Sequence, residues 1–138
     1  MPYFKDEQDV YACLGQLFVD LLADAELGPK FKEANTVVQY QCTDPTSQIT
    51  LKLIEAEDAE VDLGATELEP EVVMTMDADL AHRFWLGKVS PMMALARGQI
   101  KTSGPVAKVL NLVPLVKLVF PRYQAQLEAA GRSDLLDG

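Results

Sequence analysis

Apolar residues recur along the chain first with a helical period and then with a period of two. Between Asp6 and Glu26, the residues Val10, Leu14, Leu17, Phe18, Leu21 and Leu22 fall at helical spacing, with Asp, Glu and Gln filling much of the other face. This pattern predicts an amphipathic helix. Leu27-Gly28-Pro29 is expected to end it, because glycine suits the position after a helix and proline cannot continue the hydrogen-bond ladder. Thr36 to Cys42 and Gln48 to Ile54 then read as two strands. Between them lie Thr43-Asp44-Pro45-Thr46-Ser47, the turn chemistry of a hairpin. In Glu55 to Leu68 acids and small residues dominate, and Val61 with Leu63 predicts no more than a short edge strand. Val72 to Met76 reads as a further strand. Asp77 is placed to cap a helix from Ala78 to Leu86, which Gly87 closes. Ser90-Pro91, a cap followed by proline at the first helical position, opens a short helix through Met92, Met93, Leu95 and Ala96 to Gly98. Gln99 to Ser103 completes the strands.

The last part of the chain is apolar nearly all round. Val106, Val109, Leu110, Leu112, Val113, Leu115, Val116, Leu118, Val119 and Phe120 crowd a stretch whose only charges are Lys108 and Lys117. A membrane-spanning helix needs about 20 predominantly apolar residues, and here Pro114 and the two lysines interrupt a shorter run. A helix with apolar residues on every side is either clamped within the protein, here between the sheet and Tyr123 to Ala130, or turns its surplus face to a ligand, a partner or a membrane.

With 138 residues and 49% hydrophobic composition, the chain is long enough for one domain with its own core. Cys13 and Cys42 are too far apart to suggest a disulfide framework, and both read as packing residues; with the single His82 they cannot make a zinc site. Neither a metal nor a cofactor is expected. Met1 to Glu7 lacks the basic and apolar regions of a secretory signal, so the expected location is cytoplasmic. His82 is expected at the surface or partly packed, without a catalytic role. The familiar nucleophile, metalloprotease and nucleotide-loop motifs are absent from the sequence, so no enzyme activity is expected.

Charge is distributed unevenly. Met1 to Pro70 holds four basic and fifteen acidic residues, Glu71 to Gly138 eight and six, and Leu80 to Leu127 seven basic residues with no acid at all. The net charge of −9 and the dispersed cations argue against nucleic acid as a partner. The basic segment either solvates helix faces or attracts an anionic headgroup.

One constellation stands out: Asp79-Leu80-Ala81-His82-Arg83-Phe84-Trp85-Leu86-Gly87-Lys88, then Pro91-Met92-Met93-Ala94, then Gly98-Gln99-Ile100-Lys101 and Gly104. It resembles the sterol carrier protein type 2 family, as does the Lys108 to Leu115 segment that follows. The resemblance implies a small α/β (α+β) domain in which a five-stranded, mostly antiparallel sheet is covered by helices and encloses an apolar tunnel for fatty acid, acyl-CoA, phospholipid, sterol or isoprenoid. Carried over by position, it places Phe84, Trp85, Met92, Met93, Leu95, Ile100, Leu110, Val113, Val116 and Phe120 against the ligand. Lys88, Arg97 and Lys101 are the candidates for an anionic head. The C-terminal Asp134 to Gly138 differs from a Ser-Lys-Leu peroxisomal address. Such a protein binds or transfers lipid without catalysis, with a membrane surface or a partner enzyme as its contacts. An accessory module that docks or self-associates through the 106–120 helix, as a homodimer for instance, is the competing reading.

Overall fold

A computed structural model of the chain describes residues 3–137, apart from the side chains of Val106, Val109 and Asp137. Strands β1 (Thr36–Thr43), β2 (Ser47–Leu53), β3 (Glu60–Leu63), β4 (Val72–Asp77) and β5 (Lys101–Ser103) form one mixed sheet in the order β3-β2-β1-β4-β5. β1 and β4 run parallel, and the other neighbouring strands are antiparallel. The register sets Tyr40 beside Ile49 on one side and beside Met74 on the other. Because strand side chains alternate between faces, Val38, Tyr40 and Cys42 share a face with Ile49, Leu51, Leu53, Val72, Met74 and Met76. All of these are buried in the core. On the other face Gln39 Nε2 donates to Thr50 Oγ1 at 3.1 Å and Gln41 Nε2 to Gln39 Oε1 at 2.6 Å, so the polar groups there partner one another.

The N-terminal helical pattern is shorter and less regular than the sequence predicts. α1 (Glu7–Val10) starts from Asp6, whose side chain accepts from the Asp9 N–H. A π turn, Tyr11–Gly15, leads into α2 (Gln16–Ala23). The helix stops there because Asp24 leaves helical geometry and its carboxylate accepts from the N–H groups of Glu26 at 2.8 Å and Leu27 at 2.9 Å. Those bonds steer the chain into α3 (Leu27–Lys32), which contains Gly28 and Pro29. Gly28 is therefore no helix terminator. A Cβ there would lie 2.6 Å from the Leu22 carbonyl oxygen, so its smallness allows α2 and α3 to approach.

After β4 the expected caps are present. Asp77 accepts from the Leu80 N–H at 2.7 Å to start α4 (Ala78–Trp85), and Ser90 accepts from Met93 at 3.4 Å to start α5 (Pro91–Ala96). The last strand begins later than its pattern suggests, since the N–H groups of Gln99 and Ile100 turn back to the Ala94 carbonyl at 2.9 and 3.3 Å. Gly104 follows with φ +104°, where a Cβ would lie 2.1 Å from the Glu71 carbonyl oxygen; only glycine passes.

The predicted single helix over 106–120 is two helices, α6 (Val106–Leu110) and α7 (Val113–Ala129). Pro114 explains the break: it lacks the N–H that a continuous helix would direct at Leu110, and the first turn of a new helix needs none. The Tyr123 to Ala130 segment, expected as a separate clamp, continues α7. A closing 3-10 helix, Ser133–Asp137, inserts Leu135 into the core.

Candidate functional site

The apolar face of the sheet and the inner face of α4 meet in an aromatic cluster. Tyr40 from β1 stacks on Phe18 from α2 with ring centres 5.3 Å apart, and Trp85 at the end of α4 stands edge-on to Phe18, at 5.2 Å, and to Tyr40, at 6.2 Å. Phe84 meets Trp85 edge-on at 5.0 Å. Above this floor lies a small cavity of about 20 Å³, enough for roughly one water molecule. What stands at the place of the expected tunnel is this small cavity; a tunnel is not shown.

Of the residues assigned to the ligand from the sequence, Phe84, Trp85, Leu95, Ile100, Val113 and Val116 line the cavity. Four do not. Met92 and Met93 are 54% and 49% exposed and Leu110 is 42% exposed, all facing outward. Phe120 packs over Gly87, where a Cβ would come within 2.6 Å of its ring. Tyr40, Met74, Pro91 and Leu112 complete the lining and were not assigned from the sequence. Tyr40 and Met74 are direct partners across the parallel β1–β4 pair, a register that alternation alone does not reveal.

The lining side chains are apolar apart from the Tyr40 phenol and the Trp85 indole N–H. The Tyr40 hydroxyl takes no hydrogen bond among the described residues, and burial raises its pKa, so it stays a neutral donor. None of the three cations assigned to an anionic head lines the cavity. Lys88 Nζ donates to the Leu136 carbonyl at 2.6 Å, while Arg97 and Lys101 are exposed. Wider clefts exist, among them one of about 580 Å³ beside Glu60 to Leu68 and one of about 600 Å³ between α2 and α7. Both are open to water and have carboxylates in their walls, Glu60, Asp62 and Glu67 in one and Asp20 in the other, so an alkyl chain gains little there.

The cavity's roof is formed by Pro91 and Leu95 of α5, by Ile100 just before β5, and by Leu112, Val113 and Val116 where α6 gives way to α7, so short elements lead into it from both sides. α5, β5 and α6 are six, three and five residues long, separated by Gly98 and Gly104, both at positive φ. β5 pairs only with β4. Such segments, with few backbone bonds and little buried surface, open at lower free energy than the core.

Groups with chemical potential elsewhere are held inert. Burial pushes the Cys13 and Cys42 thiols up to about 11, so neither is a thiolate at neutral pH. His82, expected near the surface, is wholly buried. Its Nε2 lies 2.7 Å from the Leu135 carbonyl and its Nδ1 2.8 Å from the Tyr123 hydroxyl. A carbonyl only accepts, so Nε2 carries the proton and Tyr123 donates to Nδ1. Burial, the largest effect, lowers the His82 pKa and keeps it neutral. It joins α4 to α7 and the C-terminal turn. Among the described residues no cluster of metal-binding side chains occurs, and no helix is long and apolar enough to cross a membrane.

The fold is that of the sterol carrier proteins. Sterol carrier protein 2 from Yarrowia lipolytica superposes with a TM-score of 0.65 at 19% identity, covering 80% of this chain and 94% of that one. A sterol carrier protein domain from Helicoverpa armigera gives 0.66 at 16% identity, covering 81% and 88%. UbiJ-SCP2, described as a ubiquinone synthesis protein, gives 0.55 at 15% identity, covering 80% and 94%. A comparison with curated proteins gives no match. The chain belongs to the SCP-2 sterol transfer family, whose sequence model matches residues 16–117. Binding or transfer of hydrophobic lipids is the general activity this membership suggests.

Proposed function

We propose that the protein binds, without catalysis, one acyl or isoprenoid chain between the Tyr40–Met74 floor and the α5–α6 roof, and releases it by the same opening. The observation that carries this reading is the apolar cavity over the aromatic cluster, covered on one side by the six-residue helix α5 and the chain around Ile100. Burial of a chain contributes roughly 0.8 kcal/mol per methylene. Twelve methylenes give on the order of 10 kcal/mol, from which opening the roof and immobilising the ligand subtract. Affinity near the micromolar range is the consequence, with broad tolerance of chain length, because one methylene changes it only about fourfold. The Tyr40 hydroxyl provides a hydrogen bond to a single oxygen on the ligand. The ubiquinone-synthesis description of one structural relative fits an isoprenoid chain equally well.

Trp85, the only tryptophan of the chain, reports directly on this site. Titration with cis-parinaric acid is expected to quench Trp85 emission by energy transfer, saturating near one ligand per protein, with oleic acid reversing the effect. Unchanged Trp85 emission across the micromolar range would reject the cavity as the binding site.

A further inference from the structure

The residues that fail to line the cavity are the informative ones on its roof. Within α5, Pro91 and Leu95 face the cavity and Ala94 is buried, while Met92 and Met93 point outward and are half exposed. Leu110, at the end of α6 and two residues before the cavity-lining Leu112, is outward too. The outer side of α5 and the end of α6 therefore present apolar side chains to the outside, where they stay about half exposed.

Charge indicates what does cover them. Arg97 ends α5, Lys101 lies on the edge strand β5, and Lys117 is on the outer side of α7. Each side chain is exposed and has no ion-pair or hydrogen-bond partner among the described residues. From Leu80 to Leu127 there are seven basic residues and no acid, whereas the remainder holds 21 acids against five basic residues. The sheet order separates these cations from the acids of β3, while Glu71, Asp77 and Asp79 lie at the two ends of β4, beside β5. β5 forms one edge, and β3, with Glu60 and Asp62, forms the other. Screening over about 8 Å at physiological salt lets the basic edge meet an anionic surface without feeling the acidic one.

We propose that the α5–α6 roof, with Met92, Met93 and Leu110 inserted and Arg97, Lys101 and Lys117 around them, docks on an anionic phospholipid bilayer. Flexible methionines suit a fluid interface of no fixed shape, and apolar insertion combined with basic attraction is how a protein without a membrane span holds to a bilayer. The proposal rests on the ligand reading only for its purpose. A chain passing from the cavity straight into lipid avoids the roughly fourfold penalty that each methylene meets in open water.

The test is co-sedimentation with vesicles of phosphatidylcholine alone and with 30 mol% phosphatidylglycerol. Partitioning is expected to be at least tenfold stronger on the anionic vesicles and to be lost in high salt. Met92→Ser/Met93→Ser should weaken it about tenfold, and Arg97→Glu/Lys101→Glu by at least as much, at about fivefold per cation. These side chains are exposed, so melting temperatures should stay close to the parent's, and the methionine variant should keep cis-parinaric acid binding. Parent protein that ignores anionic vesicles, or variants that sediment like the parent, would overturn the proposal. So would a stable dimer dispersed by Met92→Ser/Met93→Ser, since a second copy would then be the occupant. Vesicle binding that persists when Trp85 shows no response to fatty acid supports docking while rejecting the ligand reading.

Discussion

Leu95→Trp is expected to lower the affinity for a fluorescent fatty acid at least thirtyfold, about 2 kcal/mol, while the protein remains folded. Leu95 lies on the short helix α5 facing the cavity and is only partly buried, so α5 can shift outward to admit an indole without breaking the core. The cavity is about 20 Å³, far less than the added ring, and the indole must occupy the space that the roof opens for a ligand. Met93→Trp, two residues away on the exposed face of the same helix, adds the same bulk outside the cavity and should change affinity less than about twofold. Emission of an anthroyloxy fatty acid, with thermal melts of both variants, decides the matter. Equal affinity in the two variants would place the ligand elsewhere.

Acid should destabilise the fold as pH falls below about 6.5, through His82. In the unfolded chain the imidazole takes up a proton near pH 6.5. In the folded protein burial depresses its pKa, and a second ring proton would face the Tyr123 hydroxyl, which must then turn its own proton away. Protons therefore favour the unfolded state, and the contribution of His82, complete above about pH 6.5, is lost as pH falls, at up to about 1.4 kcal/mol per pH unit. The groups facing the ring oppose one another. Asp79 draws a proton towards it, and Lys88 and Arg132 act against one. Asp9 and Glu71, held by Arg132 and Lys108, lose their stabilising charge only below the ordinary carboxylate range, so the slope between pH 6.5 and 5 belongs to the chain's single histidine. Urea melts should show that slope in the parent and a nearly flat profile in His82→Gln. His82→Ala, which strands the Tyr123 hydroxyl and the Leu135 carbonyl beside a new cavity, is expected to cost about 3 kcal/mol or more at pH 7.5. An identical acid slope in parent and His82→Gln would remove His82 as its cause.

Features that depend on adjacent residues were legible in the sequence. Asp77 and Ser90-Pro91 start helices because a cap needs only the next three backbone groups, and the β1–β2 turn carries its own chemistry. The Asp79 to Lys101 constellation led to the right fold for the same reason. What escaped depends on partners distant in sequence. Tyr40 and Met74 alternate correctly within their strands, yet only the parallel register makes them neighbours in the floor of the site. On α5 the run Met92, Met93, Ala94, Leu95 is apolar throughout, so a six-residue helix offers no polar face from which to read its rotation. His82 did leave a sign. Ala78, Ala81, His82 and Trp85 follow the spacing of one buried helical stripe, but its partners come from Tyr123 and Leu135, near the far end of the chain. The break between α6 and α7 was equally visible at Pro114, whose missing N–H outweighs the apolar pattern on either side of it.

The central claim, an apolar chain held between the Tyr40–Met74 floor and the α5–α6 roof, is tested most directly by native mass spectrometry of the freshly purified protein, followed by solvent extraction of the same sample. The expected spectrum shows a major species heavier than the chain by one acyl or isoprenoid lipid, with that lipid recovered in the extract. A bare chain that stays bare after incubation with fatty acid, phospholipid and a long-chain quinone would contradict it.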